Sequence, residues 1–478
     1  MRATASIQPV RVGKPRLLAS CAIAAGLTAL ALGGPARAQG VAGSGQVVTG
    51  PGLSGATISP PGPGAPANTT NVQTTGAQTI INWTPTDTAA AGGAIDFLPT
   101  GSTLNFYGTG QYIVLNRFIA IDPLSGAVIP ISRQIGLNGT VNSYIGPAGG
   151  STTQGGNIWF YNAGGIIIGR GAAINVGSLV LTSNDIDTTG GLLGPAGEIR
   201  FRGAAGSTSA IEIQPGSFIG ASNGNPGSSY VALVAPRIIQ SGIVSSDGSS
   251  ALVAAEQADI TINNGLFDIN VTVGAEGGDA ITHTGITGGP AHQQGDTDQS
   301  RVYMVAIPKN DAVTMLISGQ IGYQDAVVAQ TDPDGAVRLS AGYNIVNGEI
   351  ADTPANATAA NIQISDTLFA SSVVAHASGS LAAAPVSQLP GPALPAAPPP
   401  GQGRVVVQGD GTFIGDASAT VSVGNNQAVG ASGNFTVISN GVGGQPGSVA
   451  VNVNQGGTFA VGGNLALLAA GRPDAVTG

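Results

Sequence analysis

The chain has 478 residues, with 76 Gly, 30 Pro, 42% hydrophobic, 9% charged and 4% aromatic residues, and a formal net charge of −9. Intrinsic disorder combines low hydrophobicity with high net charge; here charge is scarce and mean hydropathy is positive, so most of the chain is expected to fold. An acidic chain whose only lysine after residue 38 is Lys309 argues against binding to nucleic acid or to anionic membranes.

At the N-terminus, Arg2, Arg11, Lys14 and Arg16 precede an uncharged stretch from Leu17 to Pro35, and Ala36-Arg37-Ala38 forms a small-x-small cleavage site before Gln39. Residues 1–38 read as a Sec signal peptide. The stretch is rich in Ala and Gly, unlike a membrane anchor of about 20 strongly apolar residues. Leu18-Ala19-Ser20-Cys21 has the look of a lipoprotein box, but apolar residues continue past Cys21, so lipidation is not expected. Cleavage removes the only Cys, which rules out disulfides in the mature chain. It leaves 11 basic against 25 acidic residues, a charge of −14.

Residues 39–70 are rich in Gly, Pro, Ser and Thr, lack charges and read as a flexible leader. From Val72 to about Ala370, short β-branched runs bounded by Gly and Asn signal strands. The densest example is residues 155–187, where Ile158-Trp159-Phe160, Ile166-Ile167-Ile168 and Ile174 to Leu181 are separated by glycines. The best helix candidate, Ala355 to Ala360, is too short to count. Gly216-Ser217-Phe218-Ile219-Gly220 and Gly411-Thr412-Phe413-Ile414-Gly415 are near-copies, and Gly457-Thr458-Phe459 is a looser third. The spacing from Phe413 to Phe459 fits coils of about 20–25 residues.

The expected fold is all-β, a right-handed parallel β-helix with extra-helical hairpins and loops. A coil cannot bury its apolar face alone, but stacked coils about 4.8 Å apart share a continuous core. Asn-Gly pairs also suit the hairpins of a β-sandwich, which stays open as the alternative. Residues 274–300 contain little apolar material and read as a surface loop, residues 291–376 as further coils, 377–403 as a Pro/Ala linker, and 404–478 as additional coils. The pattern still runs at Leu465-Ala466-Leu467-Leu468 without an atypical capping unit. The chain is therefore expected to be the front of a longer protein, or to end in a poorly ordered coil.

Several segments, in order, resemble the secretion domain of the filamentous haemagglutinin family, the exoproteins of two-partner secretion. Asn162-Ala163-Gly164-Gly165-Ile166-Ile167-Ile168-Gly169-Arg170-Gly171 is similar to the family's Asn-Pro-Asn-Gly coil, followed by Ile174-Asn175-Val176-Gly177-Ser178-Leu179. Ala163 stands where the family has Pro and Gly164 where it has the second Asn; Gly164 is expected to supply positive φ there. Ile80-Ile81-Asn82-Trp83 resembles the first family strand, and Tyr112 to Arg117 the segment ending in Asn116-Arg117. Gly136-Leu137-Asn138-Gly139 resembles the loop before the motif, and Tyr230 to Pro236 a later strand. The secretion domain is placed at residues 71–290, with Asn162, Ala163, Gly164, Gly165, Gly169, Arg170, Asn116 and Arg117 as secretion-motif residues.

Chemistry is harder to find. The acidic pairs Asp185/Asp187, Asp296/Asp298 and Asp332/Asp334 are the only candidates for acid–base work; the first sits at a strand end, the last in a turn, and Asp296/Asp298 in the expected surface loop. His283, His292 and His376 lack zinc spacing. Asp332-x-Asp334-Gly335 lacks the acidic end of a calcium loop, and Gly277-Gly278-Asp279 is one isolated repeat fragment. No catalytic residue, metal or cofactor is expected. The resemblance implies a secreted, non-enzymatic adhesin that crosses the outer membrane of a Gram-negative bacterium to the surface or the medium. Its implied partners are the Sec machinery, an outer-membrane transporter barrel with periplasmic domains, and a host-cell or matrix ligand. The alternatives are the stalk of a contact-dependent toxin and a β-helical polysaccharide-degrading enzyme.

Overall fold

A computed structural model describes residues 41–60, 68–86, 92–224, 228–263, 265–289, 300–322, 335–384 and 403–470. The signal segment, His292, the pairs Asp296/Asp298 and Asp332/Asp334, and most of the Pro/Ala stretch lie outside them.

The unit of construction is visible at residues 157–182. Asn157–Tyr161, Ile166–Ile168 and Ala173–Val176 form the three sides of one rung, and Ser178–Thr182 begins the next by lying parallel to Asn157–Tyr161. Ile158 then sits beside Leu179, and Phe160 beside Leu181. Repetition generates three long parallel sheets, the walls of a parallel β-helix. Asn157–Tyr161 belongs to the first, Ala173–Val176 to the second and Ile166–Ile168 to the third. Inward residues alternate with outward ones, so Ile158, Phe160, Ile166, Ile168, Ile174 and Val176 all enter one continuous core. Each wholly buried aliphatic or aromatic side chain there contributes about 1.5–3 kcal/mol. Among the described residues, the only helical element is the short 3₁₀ turn Val41–Ser44.

Rung length varies more than the expected 20–25 residues. Val231 lies beside Ser250, 19 residues on, whereas Leu179 lies beside Val231, 52 residues on. The excess leaves the helix as an external antiparallel sheet. In it Asp185–Ile186 pairs with Ile199–Arg202, which pairs with the distal half of Ser249–Asn263. That strand pairs with Leu266–Gly274, which touches Ile345–Val346, itself paired with Glu349–Ile350. This brace covers the outer face of the first sheet and creates a second core. Trp159, Val180, Ala232 and Tyr303 project into it from the wall, Phe201, Ile260, Phe267 and Ile269 from the brace.

Four expectations change. The leader contributes strands: Gly45–Val48 and Ala56–Ser59 run antiparallel to Gln78–Trp83 and Thr69–Thr74 and close the first rung. The supposed loop at 274–300 contains the strands Gly278–His283 and Ile286–Gly288, because a rung strand needs only two inward residues and Ile281 with His283 suffice. The supposed linker starts too early, since Ser380–Ala383 is a wall strand, and Arg404–Val407 continues the second sheet beside Thr367–Ala370. The near-copies are not equivalent either. Phe218 faces out from the second sheet while Phe413 is buried from the first, as a one-residue change of register reverses every side chain.

On the half-buried outer face of the second sheet, asparagines stack rung upon rung. Asn105 donates to Asn71 at 3.0 Å, Asn142 to Asn105 at 2.9 Å and Asn175 to Asn142 at 3.4 Å. Tyr107 and Tyr144 stack beside them with centroids 5.3 Å apart. Such amide ladders reward exact register between identical strands.

His283 is fully buried. Its Nδ1 lies 2.7 Å from the Ser318 carbonyl, which can only accept, so Nδ1 carries the proton and Nε2 receives the Thr287 hydroxyl at 3.0 Å. Burial drives the imidazole pKa down to about 4. Because the folded value lies below the ordinary one of about 6.5, this term is neutral above pH 6.5 and removes stability as pH falls toward 4, by about 3 kcal/mol in full. His283→Gln is expected to flatten that part of the pH–stability curve, measured by urea unfolding at pH 7 and pH 4.5. An equal acid loss in both proteins would assign the effect elsewhere.

Candidate functional site

The sequence motif folds into a corner where the first sheet turns into the third. Asn157–Tyr161 ends at Asn162, whose side chain is fully buried. Its Nδ2 donates to the Arg133 carbonyl of the preceding rung at 2.8 Å and to the Gly165 carbonyl of its own turn at 2.7 Å. Its backbone N–H donates to Thr182 of the following rung at 3.1 Å, and Gly165 N–H closes the turn on the Asn162 carbonyl at 2.9 Å. One asparagine thus holds three successive rungs in register. No donor reaches its Oδ1 among the described residues.

The two glycines differ from expectation. Positive φ belongs to Gly165, at +97°, and a Cβ there would also lie 2.3 Å from the Ala210 carbonyl oxygen. Gly164 is needed for space instead, since a Cβ would stand 2.3 Å from the Arg133 carbonyl oxygen. Ala163 is half-buried against the second core, and its carbonyl accepts from the Ser209 hydroxyl at 2.6 Å. Gly169 makes room at the next corner for the Asn138 side chain, and Arg170 stands exposed beside Gly216 of the following rung. Gly136 and Leu137, read as loop, belong to the strand Ile135–Leu137.

Asn116 and Arg117 lie next to each other on Ile113–Ile121 but project in opposite directions. Asn116 points inward, accepting from Trp83 Nε1 at 2.9 Å and donating to the Trp159 carbonyl at 3.1 Å. Arg117 points outward, one rung before Tyr161, and reaches the brace. It donates to the Ile186 carbonyl at 2.7 Å and pairs with Asp185 at 3.1 Å. Burial raises the Asp185 pKa, with Arg117 opposing the rise. Asp187 is held low, chiefly by the Thr189 N–H, and lies 3.7 Å from Arg200. The two carboxylates meet separate arginines, and the charge of Asp187 adds to the rise at Asp185.

At its far end the brace is fastened by Glu349, which takes Arg301 and Arg338 at 2.6 Å each. Burial would raise the Glu349 pKa, but the two guanidinium groups overcome this and lower it. Both arginines are almost fully buried while Glu349 is half-exposed, so solvent screens the carboxylate side of each pair. Sequence reading missed this group and a second one further along. His376 stacks on Tyr343 at 3.8 Å and meets Asp416 at 3.1 Å, while Tyr343 and Asn440 donate to the same carboxylate. These residues come from successive rungs and are far apart in sequence, so spacing gave no signal. Among the described residues, no three His, Cys, Asp or Glu side chains converge to hold a metal ion.

Asn162→Ala would leave the Arg133 carbonyl without its side-chain donor, at a cost of about 2 kcal/mol. Ala163→Pro fits the second position of the turn and should change stability by less than about 1 kcal/mol. Urea midpoints of the two variants test this ordering, and equal midpoints would refute the role assigned to Asn162.

No family model matches the chain, and no curated protein matches it. Among solved structures, the chain is similar to the HMW1 secretion domain from Haemophilus influenzae, with 13% identity and a TM-score of 0.45, covering 89% of this chain and 99% of that one. It is also similar to the filamentous hemagglutinin secretion domain, with 13% identity and a TM-score of 0.36, covering 87% of this chain and 99% of that one.

Proposed function

We propose that the chain is an exoprotein of a two-partner secretion system, exported through a dedicated outer-membrane transporter by way of its N-terminal domain, and that it acts outside the cell as an adhesin. The observation carrying this reading is the Asn162–Gly165 corner. The residues that resemble the secretion motif are those that lock three rungs together, with Arg117 tying the neighbouring strand of the same wall to the brace.

In this reading the Sec machinery delivers the chain to the periplasm, where the transporter's periplasmic domains engage residues 71–290 in extended form. The chain then folds outside as each rung templates on the last. The mature sequence suits such a route, having no thiol to oxidise and few charges to desolvate in transit. A host-cell or matrix surface is its external ligand. Catalysis forms no part of the reading, since Asp185 and Asp187 are engaged by Arg117 and Arg200.

The test is co-expression with and without the cognate transporter, assaying the medium. Export is expected to require the transporter and to be lost on deleting residues 155–187; secretion indifferent to that deletion would overturn the proposal. Asn162→Ala is expected to reduce export several-fold while Ala163→Pro exports normally, and equal export of both would remove Asn162 from the recognition role.

A further inference from the structure

Arg117, Arg200, Arg202, Arg301 and Arg338 each pair with a carboxylate on the brace. Lys309, the only lysine after residue 38, is placed differently. Its Nζ donates at 3.0 Å to both Oε1 and Oε2 of Glu256, and at 3.0 Å to Oε1 of Glu276. A nitrogen equidistant from the two oxygens of one carboxylate lies within about 3.5 Å of the carbon between them, the separation of a near-attack pair.

The backbone fixes all three groups. Glu256 sits where the wall strand Ser249–Asn263 passes into the brace, at a shift of register: Ala255 pairs with Gly274 and Gln257 with Val273. Glu256 is therefore the additional residue of a β-bulge, a device that re-aims a side chain. Its side chain is 1% exposed, against 25% for Lys309 and 34% for Glu276. Glu276 follows Ala275, which bridges Pro308 and accepts from the Lys309 N–H at 2.9 Å. From the other side, the Gly206 N–H donates to Glu256 Oε1 at 2.9 Å.

We propose that Lys309 and Glu256 condense into an amide that joins the root of the brace to a rung 53 residues further on. One proton passes along the Nζ–H···Oε2 hydrogen bond, which leaves a neutral amine facing a neutral carboxyl. The nitrogen lone pair attacks Glu256 Cδ, and negative charge gathers on Oε1, where the Gly206 N–H receives it. Glu276 takes a second proton from nitrogen and returns it to Oε2; the C–Oε2 bond breaks and one water departs. No oxidant, metal or other reactant enters. Condensation discharges a carboxylate that has almost no contact with solvent, where an ion is costly. The fixed backbone supplies the effective concentration that offsets amide formation in water. Arginine could not take this position, since its guanidinium stays protonated. Such a tie needs no thiol, in a chain whose only Cys is Cys21.

Tryptic digestion of the folded full-length chain, followed by mass spectrometry, tests the proposal. Trypsin does not cut after an acylated lysine, so residues 238–301 and 302–338 are expected as one branched species, lighter by one water than the two segments together. Lys309→Arg is expected to give no branched species. Glu276→Gln is expected to slow its appearance after dilution from urea by about a hundred-fold. Cleavage after Lys309 with no branched species from the unaltered folded chain, a branched species in Lys309→Arg, or an unchanged rate in Glu276→Gln would each overturn the proposal.

Discussion

Parallel pairing between successive rungs is the interaction on which the rest of this structure depends. Once Asn157–Tyr161 and Ser178–Thr182 are fixed side by side, inward residues must fall on inward residues, and the core is continuous by geometry. The asparagine ladder and the Asn162 corner act on the same variable, register, from the wall and from the turn. A slip by one residue would move Ile158 and Phe160 out and Trp159 in, which no local adjustment could repair.

The brace explains a second property of the walls. A sheet with one solvated face alternates apolar and polar residues, whereas a sheet covered on both faces reads as an unbroken apolar run. Tyr230–Ala235, Ala251–Ala255 and Val302–Ala306 are such runs, buried at every position. Only beneath the brace does the first sheet need both sides apolar. Past Ala341 its strands regain alternation, as at Gly411–Gly415 and Phe435–Ser439.

Much of this was legible in the residues. β-branched runs, glycine punctuation and the absence of helical stretches lead to stacked coils, and the motif at Asn162 marks a real corner. What stayed hidden depends on contacts between residues remote in sequence. Arg117 and Asp185 were separately noticeable, but nothing in their spacing joins them into an ion pair. The ladder residues Asn105, Asn142 and Asn175 share a local pattern, a small residue and an apolar one before Asn, but Asn71 follows Thr70 instead and uneven insertions conceal the period. His283 looked like part of a polar loop because its neighbours are small, while its burial comes from the rungs above and below.

The brace has a mechanical consequence. A plain array of rungs comes apart one neighbour contact at a time, since each unit touches only the next. Here Ile199 is joined to Ile260 and Ile269 to Ile345, so one strap crosses several turns of the spool. Tension applied at the distal end would peel single turns smoothly until it reached the strap. There the resistance would rise, because several turns must then yield at once.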